Sequence, residues 1–156
     1  MLYERNKNME VIPLEAPYKF EAGTLNIAGI FGLKAAIDYI QNIGLDNIAK
    51  YECELRKYTI EKMKEVEGII IYNENAEAGI ISFNLKGVFA QDLATLLNSK
   101  GIAVRSGNHC AKILKNQIKE IATVRASFYF YNTKEEVDAF IEALKKGGNF
   151  LDAYFA

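Results

Sequence analysis

The spacing of apolar residues changes at Gly68, and this change constrains the fold more than any other feature of the sequence. Before it, the apolar residues at positions 27, 30, 33, 37 and 40 recur every three or four residues, which is the spacing of one helix face. Asn26 is a suitable N-cap for this helix, and Gly44 is a suitable end. The sequence before Gly68 therefore predicts helical structure.

A second helix is predicted over about residues 45–66, directly after the first. A charge-rich run at positions 52–65 includes Arg56, and we interpret this run as a solvated helix face. Cys53 lies within the same helix, without a His or Cys at ligand spacing, and is expected to be structural or inert.

Short β-type segments follow Gly68, bounded by turn-forming residues. They cover about residues 69–72, 79–85, 102–105 and 124–130. A helix is predicted over about residues 90–100, and an irregular stretch between the last two strands. Another helix begins after Thr133, which forms a capping box with Glu136, and its predicted inward face is Val137, Phe140, Ile141 and Leu144. This order predicts an α+β domain with a small, largely antiparallel sheet covered by helices.

The charge balance and the hydropathy argue against two kinds of partner. The chain has 19 Lys and Arg against 20 Asp and Glu, and no basic run that could follow a nucleic-acid backbone. No apolar stretch approaches the roughly 20 residues needed to cross a bilayer. With only two cysteines in the chain, we expect a reducing, cytoplasmic setting.

Residues 105–111 bring an arginine, a glycine, the single histidine and a cysteine together directly after a predicted strand. Thiolates are nucleophiles, and positive charge or a hydrogen-bond donor such as Arg105 or His109 favours the thiolate form of a cysteine. The spacing alone leaves an incidental Cys110 beside a surface histidine as an alternative. No metal site is predicted, because there is no second histidine and Cys53 lies in a different context.

The segment 105–111, Arg-Ser-Gly-Asn-His-Cys-Ala, resembles the active-site loop of group II cysteine desulfurases, whose pattern is Arg-x-Gly-His-His-Cys-Ala. These pyridoxal-phosphate enzymes are relatives of the class V aminotransferases. Residues 20–26 are similar to the family's Phe-Glu-Ala-Gly-Thr-Pro-Asn, and residues 125–133 to its Arg-Ala-Ser followed by Tyr-Asn-Thr. Leu25 and Asn108 depart from the pattern, and the resemblance spans about residues 18–144.

The resemblance implies the C-terminal small domain of a fold-type I pyridoxal-phosphate-dependent transferase, over residues 18–156, after a poorly structured segment 1–17. Cys110 would take sulfur from L-cysteine as a persulfide while alanine leaves. The resemblance implies that Arg125 binds the substrate carboxylate, and that Arg105 and His109 activate or position the cysteine.

The resemblance also implies cofactor contacts and partners. Gly23 and Thr24 would contact the pyridoxal phosphate of a neighbouring subunit, so a homo-oligomer is expected. A sulfur-accepting protein is the expected partner for the persulfide.

No segment of the chain resembles the strand with the cofactor-bearing lysine. We therefore expect a separate large pyridoxal-phosphate-binding domain, and an isolated chain without desulfurase activity. The alternatives are a stand-alone sulfur-relay or binding module and an inactive remnant of a class V aminotransferase protein. An aminotransferase or lyase of the same superfamily is the nearest enzymatic rival, and Cys110 argues against it. The sequence does not distinguish cysteine from selenocysteine as the substrate.

Overall fold

The computed structural model of the chain describes residues 3–5 and 10–149. Contacts divide the chain into two compact units, Met1–Gly44 and Leu45–Ala156. The predicted segment 1–17 lies partly outside the described residues, and its boundary stays a prediction.

In the first unit, the described residues 3–5 and 10–44 form two short strands and one long helix. Strands β1 (Tyr3–Arg5) and β2 (Val11–Pro13) pair antiparallel. Helix α1 (Ile27–Ile43) follows a 3₁₀ turn at Tyr18–Phe20.

Helix α1 confirms the predicted ends. The Asn26 side chain accepts a hydrogen bond of 3.0 Å from the Gly29 N–H, and Gly44, with a φ of 91°, follows the last turn. None of the helical residues is buried, and the predicted apolar face, which includes Ile27 and Leu33, is exposed.

In the second unit, residues 45–149 form four helices and four strands. They are α2 (Leu45–Met63), β3 (Ile69–Ile71), β4 (Ile80–Leu85), α3 (Ala90–Ser99), β5 (Arg105–Gly107), α4 (Leu114–Ile118), β6 (Thr123–Ser127) and α5 (Lys134–Lys145). The strands form one antiparallel sheet in the order β3-β4-β6-β5. The predicted α+β class with a small antiparallel sheet is therefore confirmed.

One face of this sheet builds the core. Alternate residues of β4 and β6 point to the same side, and Ile81, Phe83, Val124 and Ala126 are all buried there. The helices contribute the rest of the core. From α2, α3 and α5 come Leu55, Met63, Leu93, Leu97, Val137, Phe140, Ile141 and Leu144. The opposite face of β4 and β6 carries Ser82, Asn84, Thr123 and Arg125, together with the exposed Ile80.

The capping box at the start of α5 is present as predicted. The Thr133 hydroxyl accepts a hydrogen bond from the Glu136 N–H, and the Glu136 carboxylate accepts one from the Thr133 N–H. All four residues predicted for the inward face of this helix are buried, namely Val137, Phe140, Ile141 and Leu144.

The interpretation of the charge-rich run as a solvated face was wrong for Arg56. Its side chain is 2% exposed, because the guanidinium donates hydrogen bonds to backbone carbonyls of the segment between β3 and β4. The strand predicted over 102–105 begins only at Arg105, since the Ile102 N–H bonds to the Leu97 carbonyl at the end of α3. Helix α4 lies where irregular structure was expected.

Candidate active site

Two arginines lie opposite each other on the open face of the sheet. The strand register pairs Arg125 of β6 with Ser82 of β4 on one side and with Arg105 of β5 on the other. Directly opposed residues of antiparallel strands carry their side chains on the same face, and like charges in such a pair repel. The row of Ser82, Arg125 and Arg105 therefore concentrates positive charge at one place on the sheet.

Neither arginine has an acidic partner among the residues that the structure describes. Arg125 is half-buried and Arg105 is exposed. The Nε atom of Arg125 is buried and has no hydrogen-bond partner in the described part of the chain. An anion placed over the row would satisfy both guanidinium groups.

The cysteine loop, residues 108–111, directly follows β5 and therefore Arg105 of this row. Gly107 has a φ of 128°, and His109 and Cys110 have φ values of 50° and 61°. Two consecutive left-handed residues turn the chain sharply, and the Ala111 N–H donates a hydrogen bond of 2.8 Å to the Asn108 carbonyl. Cys110 is exposed and free. The loop therefore presents a thiol to solvent next to a positively charged strand pair.

His109 points back toward the sheet. Its Nε2 atom lies 3.0 Å from the carbonyl oxygen of Thr123 and 3.0 Å from the Thr123 hydroxyl. Burial lowers the pKa of His109 below its ordinary value, against the opposing effect of the Thr123 hydrogen bond, and Arg125 and Arg105 lower it further. The imidazole is therefore neutral at pH 7.

A cleft of about 300 Å³ lies beside this loop and is lined by Tyr72, Ser82, Gly107, His109, Ile121 and Thr123, among others. The side chain of Asn84, which is 8% exposed, connects the segments that form the walls of this cleft. The Asn84 amide donates to the Tyr72 hydroxyl at 3.1 Å and to the Ala122 carbonyl at 3.0 Å, and its oxygen accepts from the Val124 N–H at 3.3 Å. This buried amide therefore joins β4 to the backbone on both sides of Thr123.

Tyr72 titrates outside its ordinary range. Burial, together with a hydrogen bond to Glu120, raises the pKa of Tyr72 to about 12. The hydroxyl therefore stays protonated and donates to the Glu120 carboxylate while it accepts from Asn84.

This raised pKa predicts a loss of stability in alkali. Because the folded-state value lies above the ordinary value of 10.0, the contribution of Tyr72 is complete below pH 10 and is lost as the pH rises through about 12. We expect the urea midpoint of the wild-type chain to fall more steeply over this interval than that of Tyr72→Phe. The exposed Tyr131→Phe is the control, and it should follow the wild type. Identical slopes for wild type and Tyr72→Phe would contradict the assignment.

Sequence reasoning missed the residues that support the loop. Asn84 was visible as a polar residue within an apolar strand, a signal that a buried polar group needs partners there. Thr123 and Tyr72 gave no signal, because their partners lie 14 and 12 residues away along the chain. The four predicted residues Arg105, His109, Cys110 and Arg125 lie on the β5-β6 pair and the loop that leaves it.

Gly23 and Thr24 belong to the first unit and lie just before the N-cap of α1. Both are exposed, and a Cβ at Gly23 would meet no atom within 4 Å. A backbone N–H, a hydroxyl and the positive end of a 17-residue helix are groups that suit a phosphate. These groups therefore fit one side of a phosphate group.

Two negative observations concern the described residues alone. They contain no group of three or more His, Cys, Asp or Glu side chains that could hold a metal ion. Among them, no helix combines the length and the hydropathy of a membrane span.

Sequence comparison identifies relatives over nearly the whole chain. The family model described as aminotransferase class-V matches residues 4–140. A probable cysteine desulfurase of Halalkalibacterium halodurans is 47% identical over 141 residues, which is 90% of this chain and 35% of that protein. A probable cysteine desulfurase of Staphylococcus aureus is 48% identical over 143 residues, with the same coverage of 90% and 35%. The chain thus spans about a third of the length of the curated relatives it matches.

Solved structures give the same result for the fold. The cysteine desulfurase CsdA of Escherichia coli superposes with a TM-score of 0.86 at 30% identity, over 95% of this chain and 37% of that one. A cysteine desulfurase of Thermococcus onnurineus superposes with a TM-score of 0.84 at 39% identity, over 93% of this chain and 36% of that one. Both matches cover the C-terminal portion of the solved proteins.

Proposed function

The chain belongs to the aminotransferase class-V family, and from this membership we propose that it is the C-terminal part of a cysteine desulfurase. In this proposal Cys110 receives the sulfur of L-cysteine and alanine is released. The observation that carries it is the exposed Cys110, held in a left-handed loop after a strand pair whose two arginines have no acidic partner among the described residues. The similarity to probable cysteine desulfurases supports the choice of reaction.

Cys110 is the proposed nucleophile. Its thiolate would attack the substrate sulfur, so that a sulfur–sulfur bond forms as the carbon–sulfur bond of the substrate breaks. The electron pair left on the substrate carbon takes up a proton, and the product is alanine. Pyridoxal phosphate, when bound, supplies the electron-withdrawing ring that makes this carbon–sulfur bond breakable.

Arg125 is the proposed carboxylate ligand of the substrate. A planar guanidinium can grip both oxygens of a carboxylate, and Arg125 has a buried Nε without a partner in the described chain. Arg105, directly opposite, adds a second positive charge on the same face. Together they would orient an amino acid with its carboxylate over the row.

Gly23 and Thr24 are the proposed phosphate ligands. The Gly23 N–H and the Thr24 hydroxyl, at the start of α1, would bind the cofactor phosphate of a neighbouring subunit. Their exposure, and the open space around Gly23, support this role.

The remaining two thirds of such an enzyme would supply the rest of the cofactor site. We propose that it does so either in the same polypeptide or as a separate chain, within a cytoplasmic homo-oligomer that hands its sulfur to an acceptor protein. The apolar side chains exposed on α1, which include Ile30 and Phe31, support association with a further protein surface.

Sulfur loading of the cysteines tests the proposal. With an inorganic polysulfide as donor, we expect Cys110 to acquire persulfide at least about tenfold faster than Cys53, because Cys110 is exposed and Cys53 is half-buried on α2. Mass spectrometry of the separated peptides measures both rates in one sample.

Two matched variants serve as controls for this experiment. Cys110→Ser should abolish the fast loading, and Cys53→Ser should keep it. Equal rates at the two cysteines, or a Cys110 that reacts only in denaturant, would mean that the loop no longer presents a usable thiol.

A further inference from the structure

We propose that His109 and Thr123 form a clamp that holds the Cys110 loop in its left-handed conformation, so that His109 positions the cysteine and transfers no proton. This inference rests on the proposed function of Cys110 as sulfur acceptor. It assigns a role to Thr123, a residue of β6 outside the sequence motifs.

The conformation of the loop needs a restraint. His109 and Cys110 have φ values of 50° and 61°, and residues that carry a Cβ adopt this region rarely and at a cost. Within the loop itself, one backbone hydrogen bond, from the Ala111 N–H to the Asn108 carbonyl, closes the turn. A restraint from outside the loop is therefore required.

The contact between His109 and Thr123 supplies that restraint. The His109 Nε2 atom lies 3.0 Å from both the carbonyl oxygen and the hydroxyl oxygen of Thr123. Thr123 is 5% exposed and is paired with Gly107, at the stem of the same loop. The loop is thus fastened to the strand beside its own stem.

The anchor is itself fixed in place. The neighbouring Val124 N–H donates to the buried side chain of Asn84, which also holds the Ala122 carbonyl on the other side of Thr123. Backbone atoms on both sides of Thr123 are therefore tied to β4. A clamp built on such an element can hold a strained loop without moving with it.

The partners of His109 also fix its protonation. A carbonyl oxygen only accepts hydrogen bonds, so Nε2 carries a proton in this contact. Nδ1 is buried and has no hydrogen-bond partner in the described chain, whereas Cys110 is exposed. Burial of the ring and the positive charges of Arg125 and Arg105 lower the pKa of His109 and so disfavour a second proton. The imidazole is therefore a neutral donor committed to Thr123.

Four variants on a Cys53→Ser background test the clamp. Thr123→Val removes the hydroxyl and leaves the carbonyl contact, and His109→Ala removes the imidazole. Thr123→Ser keeps the hydroxyl, and His109→Asn keeps a neutral donor that tolerates left-handed backbone. We expect hydrogen-exchange protection of the Ala111 N–H, and the rate of Cys110 persulfide formation, to fall about fivefold in the first pair, the effect of one net hydrogen bond. The second pair should rescue both quantities.

Two further measurements separate positioning from proton transfer. The chain has a single histidine, so its side-chain ¹⁵N signals are unambiguous, and at pH 7 they should report a neutral ring protonated at Nε2. The midpoint of the pH–rate profile of Cys110 should be the same in His109→Asn and in the wild type, because a ring that exchanges no proton with the thiol does not set this midpoint. A shifted midpoint, a proton on Nδ1, or an imidazolium would overturn the clamp.

The design distinguishes the two proposals. If Cys110 in the wild-type chain reacts no faster than Cys53, the proposed function fails, whatever the variants do. If the wild-type Cys110 reacts fast and all four variants behave alike, the proposed function stands and the clamp is overturned.

Discussion

Replacement of Arg56 by Ala is expected to lower the free energy of unfolding by about 3–5 kcal/mol, because three hydrogen bonds from a charged donor to backbone carbonyls are lost. The Arg56 side chain is 2% exposed and donates to the carbonyls of Asn73, Ala78 and Ile80. Burial lowers the pKa of Arg56, but the group starts so high that it stays charged at neutral pH. Without Arg56, these three carbonyls lose their charged donor. Urea unfolding followed by circular dichroism measures the effect.

Two neighbouring substitutions make the Arg56 prediction specific. Lys57→Ala changes an exposed residue of the same helix and should alter stability by less than about 0.5 kcal/mol. Arg56→Lys keeps the charge but replaces the planar fork with a single ammonium, so it should lie between Ala and the wild type. If Arg56→Ala unfolds within about 1 kcal/mol of the wild type, the carbonyls have found other donors and the network is unimportant.

The Arg56 network also bears on the candidate site. The carbonyls that it holds belong to the segment between β3 and β4, which follows Tyr72 and precedes Ser82. Within this segment the Asn73 amide donates to the Ile80 carbonyl at 2.7 Å, and its oxygen accepts from the Ser82 N–H at 2.9 Å. Arg56 of α2 therefore holds Asn73, and Asn73 holds Ser82. Both residues line the cleft beside the cysteine loop.

Features that depend on neighbouring residues could be predicted from the sequence. The ends of α1 at Asn26 and Gly44, and the capping box at Thr133, depend on side chains within four residues of the backbone they satisfy. The inward face of α5 depends only on helical spacing. These predictions were confirmed because no distant contact decides them.

Features that depend on pairing partners could not be predicted in the same way. The start of β5 at Arg105 depends on its pairing with β6. Phe128, the first residue after β6, donates its N–H to the Gly79 carbonyl. Helix α4 has only five residues, which is too short for a periodic pattern. Arg56 looks solvated in the sequence because its partners lie 17 to 24 residues away.

The candidate site also combines features that the local sequence predicts with features that depend on distant contacts. A motif was enough to select Cys110, Arg105, His109 and Arg125, and their roles stay proposals. The row of Arg105 and Arg125 follows from strand register, and the contact of His109 with Thr123 follows from the path of the loop. Neither is visible in local sequence, because antiparallel register is set by residues far apart in the chain.

Side chains alternate along each strand, so one face of the sheet lies toward the candidate site and the other packs in the core. Ser82 and Asn84 of β4 face the candidate site, whereas Phe83 between them faces the core. The Phe83 ring is fully buried and packs edge-to-face on Phe140 of α5, with 5.8 Å between ring centroids. Phe83 is also opposite Val124 of β6, next to the pair Ser82–Arg125. The position of the site residues therefore depends on packing that occurs on the other face.

We expect Phe83→Ala to lower the free energy of unfolding by about 3–5 kcal/mol, because it removes a fully buried ring from the central strands and leaves a cavity. Phe89→Ala is the matched control, since this ring is 52% exposed, and it should cost less than about 1 kcal/mol. Urea unfolding of both variants measures the difference. Similar losses for the two phenylalanines would show that Phe83 does not anchor the sheet, and that the register holding Ser82 and Arg125 opposite each other is maintained by the strand hydrogen bonds alone.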